Sequence, residues 1–266
     1  MRDGRSGLQP QWQPLRAAMA AWRLLRAVVH VLHGMLVMTR FPRLSAAGRH
    51  QRIRWWSAGL LHAVGIAVKV TGTAPRPGAT LVVANHVSWI DIAAIHAAAP
   101  HARFVSKADV LAWPLLGWLI RNAGTLFIER ERKRDAVRVV HAMAQAMQAG
   151  DTVAVFPEGT TGAGPELLPF HANLLQAAIA TATPVQPIVL RFADAAQAYS
   201  PAALYIGDTT LLQSVWRVVN ARGLTAHVHV MPPIATAHTE RRALAVHLRE
   251  LMAAELPARR HDGMTA

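Results

Sequence analysis

Hydrophobic and polar positions fall into distinct blocks along this chain. In residues 16–39, Arg23, Arg26, His30 and His33 recur at spacings of three, four and three, which makes one polar stripe on a helix. Leu24, Leu25, Val28, Val29, Leu32 and Leu36 cover the rest of that helix. The uncharged run Ala27–Thr39 has 13 residues, short of the roughly 20 that cross a bilayer. The pattern predicts an interfacial helix with its basic side towards lipid headgroups. A core-packed helix with solvated arginines is the other reading. Trp55-Trp56 open a second apolar helix, expected to run to about Val70. Residues 1–15 have no periodicity and read as a loose terminus.

Beyond a Pro/Gly turn at Thr73–Gly78, strand-like and helix-like segments alternate. Leu81–Ala84, Thr125–Glu129, Thr152–Phe156, Val185–Arg191 and Ala226–Met231 read as strands. Residues 88–98, 134–149, 171–182 and 238–255 read as helices. The expected fold class is α/β: a mostly covered mixed sheet with flanking helices, preceded by an N-terminal amphipathic segment. The expected organisation is a helical membrane-association region at 1–72 and a catalytic domain at 73–266. Leu167–Leu190 is the longest uncharged run, but Pro169, Pro184 and Pro187 interrupt it, so no span is assigned there.

Charge sharpens this division. The 266 residues carry a formal net charge of +13. Residues 1–90 hold twelve Lys/Arg against a single acid, Asp3, whereas residues 91–266 hold sixteen against fourteen. The linker 40–54 alone contributes Arg40, Arg43, Arg49, Arg52 and Arg54. Basic residues beside paired tryptophans point to an anionic lipid surface. Nucleic acid is the other anionic partner considered; no zinc pattern, recognition-helix motif or interleaved aromatic strand supports it. No small-residue cleavage site marks a signal peptide. The chain has no cysteine, so disulfides, thiol catalysis and thiolate metal sites are excluded.

Candidate chemistry sits at the ends of the predicted strands. His86 and Asp91 follow Leu81–Ala84, five residues apart, in Asn85-His86-Val87-Ser88-Trp89-Ile90-Asp91. A histidine with a carboxylate behind it is a general-base arrangement. Gly124–Arg130 brings Arg130 to the end of a second strand. Phe156-Pro157-Glu158-Gly159-Thr160-Thr161-Gly162 follows a third, and Thr183-Pro184-Val185-Gln186-Pro187-Ile188 enters a fourth. Ser88 lacks the G-x-S-x-G elbow of a serine hydrolase and reads as a helix cap. His86, Asp91 and His96 lack a recognisable metal-ligand spacing, so no metal is assigned.

The ordered set NHxSxxD, GxxFIxR, FPEGT and TPVxPI resembles the glycerolipid acyltransferases that acylate lysophosphatidate, the 1-acyl-sn-glycerol-3-phosphate acyltransferase family. The resemblance covers roughly residues 65–232; Lys107-Ala-Asp-Val and Trp113-Pro-Leu-Leu-Gly117 resemble the segment between the first two motifs. It implies that His86 is the general base on the acceptor hydroxyl and that Asp91 orients it. It implies that Arg130 holds the acceptor phosphate, with Lys107 also on the substrate side, and that Glu158, Gly159 and Thr160 line the acceptor pocket. Acyl-CoA or acyl carrier protein would be the co-substrate, with no further cofactor. The implied place of work is the cytoplasmic face of a membrane.

Three positions depart from the family pattern. Thr161 and Gly162 stand where arginine and serine usually follow Glu-Gly-Thr, and His171 follows Phe170 where lysine is frequent. The Glu-Gly-Thr-Thr form resembles acyltransferases acting on lyso-ornithine lipid. Lysophosphatidate is the first expected acceptor and lyso-ornithine lipid the alternative. A non-catalytic membrane or nucleic-acid-binding protein is the reading from a different class; the presence of both His86 and Asp91 argues against it.

Overall fold

The computed structural model describes residues 13–107, 126–128 and 133–258. In chain order the elements are α1 (Gln13–Met38), α2 (Ala46–Ala63), β1 (Ala67–Gly72), β2 (Thr80–Ala84), α3 (Asp91–Ala98), β3 (Ala102–Lys107) and β4 (Leu126–Ile128). They continue with α4 (Lys133–Gln148), β5 (Thr152–Val155), α5 (Gln176–Ala180), β6 (Val185–Ala193), α6 (Leu211–Asn220), β7 (Thr225–Val230) and α7 (Arg241–Ala254). The strands form a seven-stranded sheet in the order β1-β7-β6-β2-β5-β3-β4. The β6–β7 pair is antiparallel and the remaining pairs are parallel. The mixed, covered sheet expected from the alternation is the one observed.

Central strands explain their own composition. Every residue of β2 and β5 is buried, as short apolar runs in a parallel sheet covered on both faces must be. One face packs under α2, α3 and α6, with Leu61, Ala94, Ile95, Val218 and Val219 in the same cluster as Val82 and Ala154. The other packs under α4, α5 and α7, where Met143, Ala177, Leu244 and Leu248 meet Leu81, Val83 and Val153.

This topology places a crevice. After β2 the chain turns to α3 on one face; after β5 it turns to α5 on the opposite face. Two adjacent parallel strands whose connections leave in opposite directions make a topological switch point, where α/β sheets bind ligands at the carboxyl ends of their strands. His86 follows β2 and Glu158 follows β5.

The N-terminal helices differ from the sequence expectation in two ways. The second helix stops at Ala63 rather than continuing to about Val70. Gly65 turns the chain at φ +89°, in the left-handed region that glycine tolerates, and residues 67–72 become the edge strand β1 paired with β7. The boundary expected at residue 72 thus falls just after a strand of the sheet. The polar stripe of α1 also faces the opposite way. Arg23 Nη1 donates to the carbonyls of Val219 and Ala221 at 2.8 and 2.6 Å, capping the C-terminus of α6. His30 Nε2–H donates to the Trp56 carbonyl at 2.8 Å, and His33 meets Trp55 edge-on. Trp22, Leu25, Val28, Val29, Leu32 and Leu36 are exposed instead, Leu36 by 70%. The stripe faces protein because α2 and α6 offer it carbonyls and indoles; the apolar side is left to the surroundings. Among the described residues, α1 is the helix long and apolar enough to cross a membrane.

Candidate active site

Asn85 fixes the end of β2. Its Nδ2 donates to the Leu190 carbonyl at 3.0 Å and its Oδ1 accepts the Leu190 N–H at 2.7 Å, so a side chain prolongs the β2–β6 pairing. The next residue, His86, leaves the sheet with its backbone direction already set.

Asp91 opens α3 and is fully buried. Its Oδ2 accepts three donors: His86 Nδ1–H at 2.8 Å, the Val87 N–H at 2.6 Å and the Ser88 N–H at 2.9 Å. Three donors on one oxygen require a pure acceptor, which a carboxylate is. With Nδ1 carrying the proton, Nε2 keeps the lone pair of the neutral ring. The imidazole stacks on Phe156, with centroids 4.0 Å apart and planes 11° from parallel, and Phe156 stacks in turn on Phe104. The His86 side chain remains 22% exposed. The ring is therefore held in plane, oriented by a carboxylate, and reachable. A general base needs these properties.

The turn after β5 encloses the backbone of His86. Glu158 is 5% exposed. Its Oε1 accepts the His86 N–H at 2.8 Å and its Oε2 accepts the Leu168 N–H at 2.9 Å. Burial raises its pKa, partly offset by those two backbone donors and by His86. The Gly162 N–H donates to the His86 carbonyl at 2.7 Å, so both polar atoms of the histidine backbone are taken by the Glu158–Gly162 turn. Thr161 Oγ1 donates to the Tyr205 carbonyl, and the Tyr205 N–H donates to the Val87 carbonyl at 3.2 Å.

The sequence-predicted site residues divide by position. His86 and Asp91 meet directly, and Glu158 is bonded to the backbone of His86. Gly159 and Thr160 are exposed at the mouth. Gly159 adopts φ +71°, and a β-carbon there would come within 2.9 Å of the His171 ring, so a side chain would strain the turn twice. Lys107 is the last residue of β3, with its side chain outside the described residues. Arg130 lies outside the described residues, two positions beyond the end of β4. His96 is buried and donates Nε2–H to the Ala102 carbonyl at 2.9 Å rather than to the dyad. Two roles escaped sequence reasoning, Asn85 as anchor and Phe156 as stacking plate; His171 was singled out by its place after Phe170, but not its position over Gly159. The first two lie inside motifs already singled out, whereas the placement of His171 depends on its N–H donating to the Pro157 carbonyl at 2.8 Å.

Comparison with known proteins agrees on family and fold. A family model described as Acyltransferase matches residues 67–191. A lyso-ornithine lipid O-acyltransferase of Pseudomonas aeruginosa is 37% identical over 234 residues, covering 87% of this chain and 84% of that protein. A 1-acyl-sn-glycerol-3-phosphate acyltransferase of Neisseria meningitidis is 38% identical over 185 residues, covering 69% and 72%. The crystal structure of the 1-acyl-sn-glycerophosphate acyltransferase of Thermotoga maritima superposes with a TM-score of 0.68 at 19% identity, over 92% of this chain and 95% of that one; at that identity it speaks for the fold. The resemblance carried by the four sequence motifs is borne out.

Proposed function

The chain belongs to the acyltransferase family that includes the 1-acyl-sn-glycerol-3-phosphate and lyso-ornithine lipid acyltransferases, and from that premise we propose that it acylates the free hydroxyl of a membrane lysolipid. The observation that carries the reading is the His86–Asp91 pair at the switch point of the sheet.

His86 Nε2 removes the proton of the acceptor hydroxyl as its oxygen attacks the thioester carbonyl. A C–O bond forms and the C–S bond breaks. The proton passes from the imidazolium to the departing thiolate, and the base is regenerated. Asp91 stabilises the imidazolium and keeps its proton on Nδ1. Base assistance of this kind contributes about 10²–10⁴-fold. No covalent acyl-enzyme is needed, in keeping with a chain without cysteine. The donor is an acyl thioester, acyl-CoA or acyl carrier protein.

For the acceptor, lysophosphatidate is the first reading, with Arg130 and Lys107 on its phosphate. Lyso-ornithine lipid is the second. It is favoured by Thr161, whose hydroxyl is bound to the Tyr205 carbonyl and supplies no cation to the mouth. Outward-facing apolar residues on α1 support work at a membrane surface, on the cytoplasmic side where soluble thioesters are available. Turnover on both lysolipids with each donor tests the reading. No transfer in any of the four combinations would sink it.

A further inference from the structure

Helix α6 has two faces. Ser214, Val218 and Val219 are buried against the sheet; Leu211, Leu212 and Trp216 point away, with Leu212 80% and Trp216 54% exposed. An aromatic and a leucine one helical turn apart, both in contact with solvent, form an uncompensated apolar patch. Its surroundings identify what covers it. Val218 and Val219 of α6 and Ala20 of α1 enter the same core cluster, so both helices turn their outer residues away from the same face of the sheet. Arg23 ties the two together through the Val219 and Ala221 carbonyls. The apolar patch of α6 thus lies on the same side of the sheet as the exposed residues of α1. α6 contains no acidic residue, and Arg217 and Arg222 are exposed at its C-terminal end. Apolar residues with tryptophan, followed by cations on their C-terminal side, match the boundary between acyl chains and anionic headgroups.

The patch is also joined to the catalytic loop. Trp89, between His86 and Asp91, donates Nε1–H to Ser214 Oγ of α6 at 3.1 Å. The Tyr205 N–H, in the segment leading into α6, donates to the Val87 carbonyl at 3.2 Å.

We propose that α6 is a second lipid-contacting element, inserting Leu211, Leu212 and Trp216 into an anionic phospholipid surface beside α1 and thereby holding the His86 loop at that surface. A lysolipid then presents its hydroxyl to His86 without leaving the bilayer. This proposal rests on the reading that α1 faces lipid, and the test separates the two.

Because the chain has no cysteine, single labels can be introduced cleanly. An environment-sensitive fluorophore is attached at Leu25→Cys on α1, Leu212→Cys on α6, or Val246→Cys on α7, which packs on the opposite face of the sheet. Each full-length variant is mixed with phosphatidylethanolamine–phosphatidylglycerol vesicles carrying a quencher-labelled lipid. The expected result is a blue shift and quenching at positions 25 and 212, with neither at 246. Insertion at 25 but not at 212 overturns the α6 proposal and leaves the α1 reading standing. Insertion at neither overturns both. A shift at 212 without vesicles that grows with protein concentration assigns the patch to a second copy and also overturns the proposal. In a parallel assay, Leu212→Asp/Trp216→Asp raises the KM for a vesicle-embedded acceptor about tenfold and leaves turnover of a monomeric short-chain acceptor unchanged. An unchanged vesicle KM counts against it.

Discussion

Glu158 holds His86 by its backbone. Oε1 accepts the histidine N–H at 2.8 Å while Oε2 accepts the Leu168 N–H at 2.9 Å, so one buried carboxylate braces the turn after β2 against the segment after β5. The residue that the family resemblance assigned to the acceptor pocket has both oxygens occupied by the protein.

Glu158→Gln leaves one of those N–H groups facing an amide NH2. An unsatisfied buried donor costs about 1–3 kcal/mol. Urea denaturation of the variant shows that loss, and turnover falls with it as the His86 backbone shifts. Unchanged stability would argue that the turn does not depend on this brace.

Asp91→Asn keeps the size of the side chain and removes its charge. The amide oxygen can still accept from Val87 and Ser88, but the imidazolium loses its counter-charge and the ring loses its preferred tautomer. Turnover drops by about 10²–10⁴-fold while the circular dichroism spectrum stays that of the parent. A drop of less than tenfold would mean that His86 does not work through Asp91.

His171 lies over Gly159 at the mouth and is exposed. His171→Lys places a permanent cation there. The ratio of kcat/KM for lysophosphatidate over lyso-ornithine lipid rises about tenfold, equivalent to about 1.4 kcal/mol. Equal ratios in the two proteins would separate His171 from headgroup choice. Thr161 is the poorer handle, because its hydroxyl already serves the Tyr205 carbonyl.

His96 couples the fold to acid. Burial lowers its pKa to about 4, against the bond to the Ala102 carbonyl, which raises it. The unfolded side chain titrates near 6.5. Between these values the unfolded chain binds more protons than the folded one, so stability is full above about pH 6.5 and falls as pH drops towards 4. The shift is equivalent to about 3 kcal/mol. His96→Gln flattens the pH dependence of the urea midpoint across that window. An identical slope in the variant would assign the acid sensitivity elsewhere.

Local features of the site were legible in the sequence because their partners are close in the chain. His86 and Asp91 are one loop and one helix start apart; β2 and β5 are short apolar runs, and β7 alternates buried Ala226, Val228 and Val230 with Thr225, His227 and His229. The bond from Glu158 to His86 joins residues 72 apart, and periodicity carries no information about such a pair. β1 was hidden for another reason: Ala67-Val-Lys-Val continues the apolar character of α2, and only the backbone of Gly65 separates them. In α1 the periodicity revealed two faces without revealing which one meets protein. That choice depended on the carbonyl ends of α6 and on the Trp55–Trp56 pair, both supplied by distant segments.

The most direct measurement is acyl transfer from acyl-CoA and acyl carrier protein to vesicle-embedded lysophosphatidate and lyso-ornithine lipid, by the parent protein and by His86→Ala. Transfer by the parent is expected, with a loss of about 10²–10⁴-fold in the variant and vesicle binding unchanged. A variant that retains turnover within about tenfold of the parent would contradict the assignment of His86 as the base.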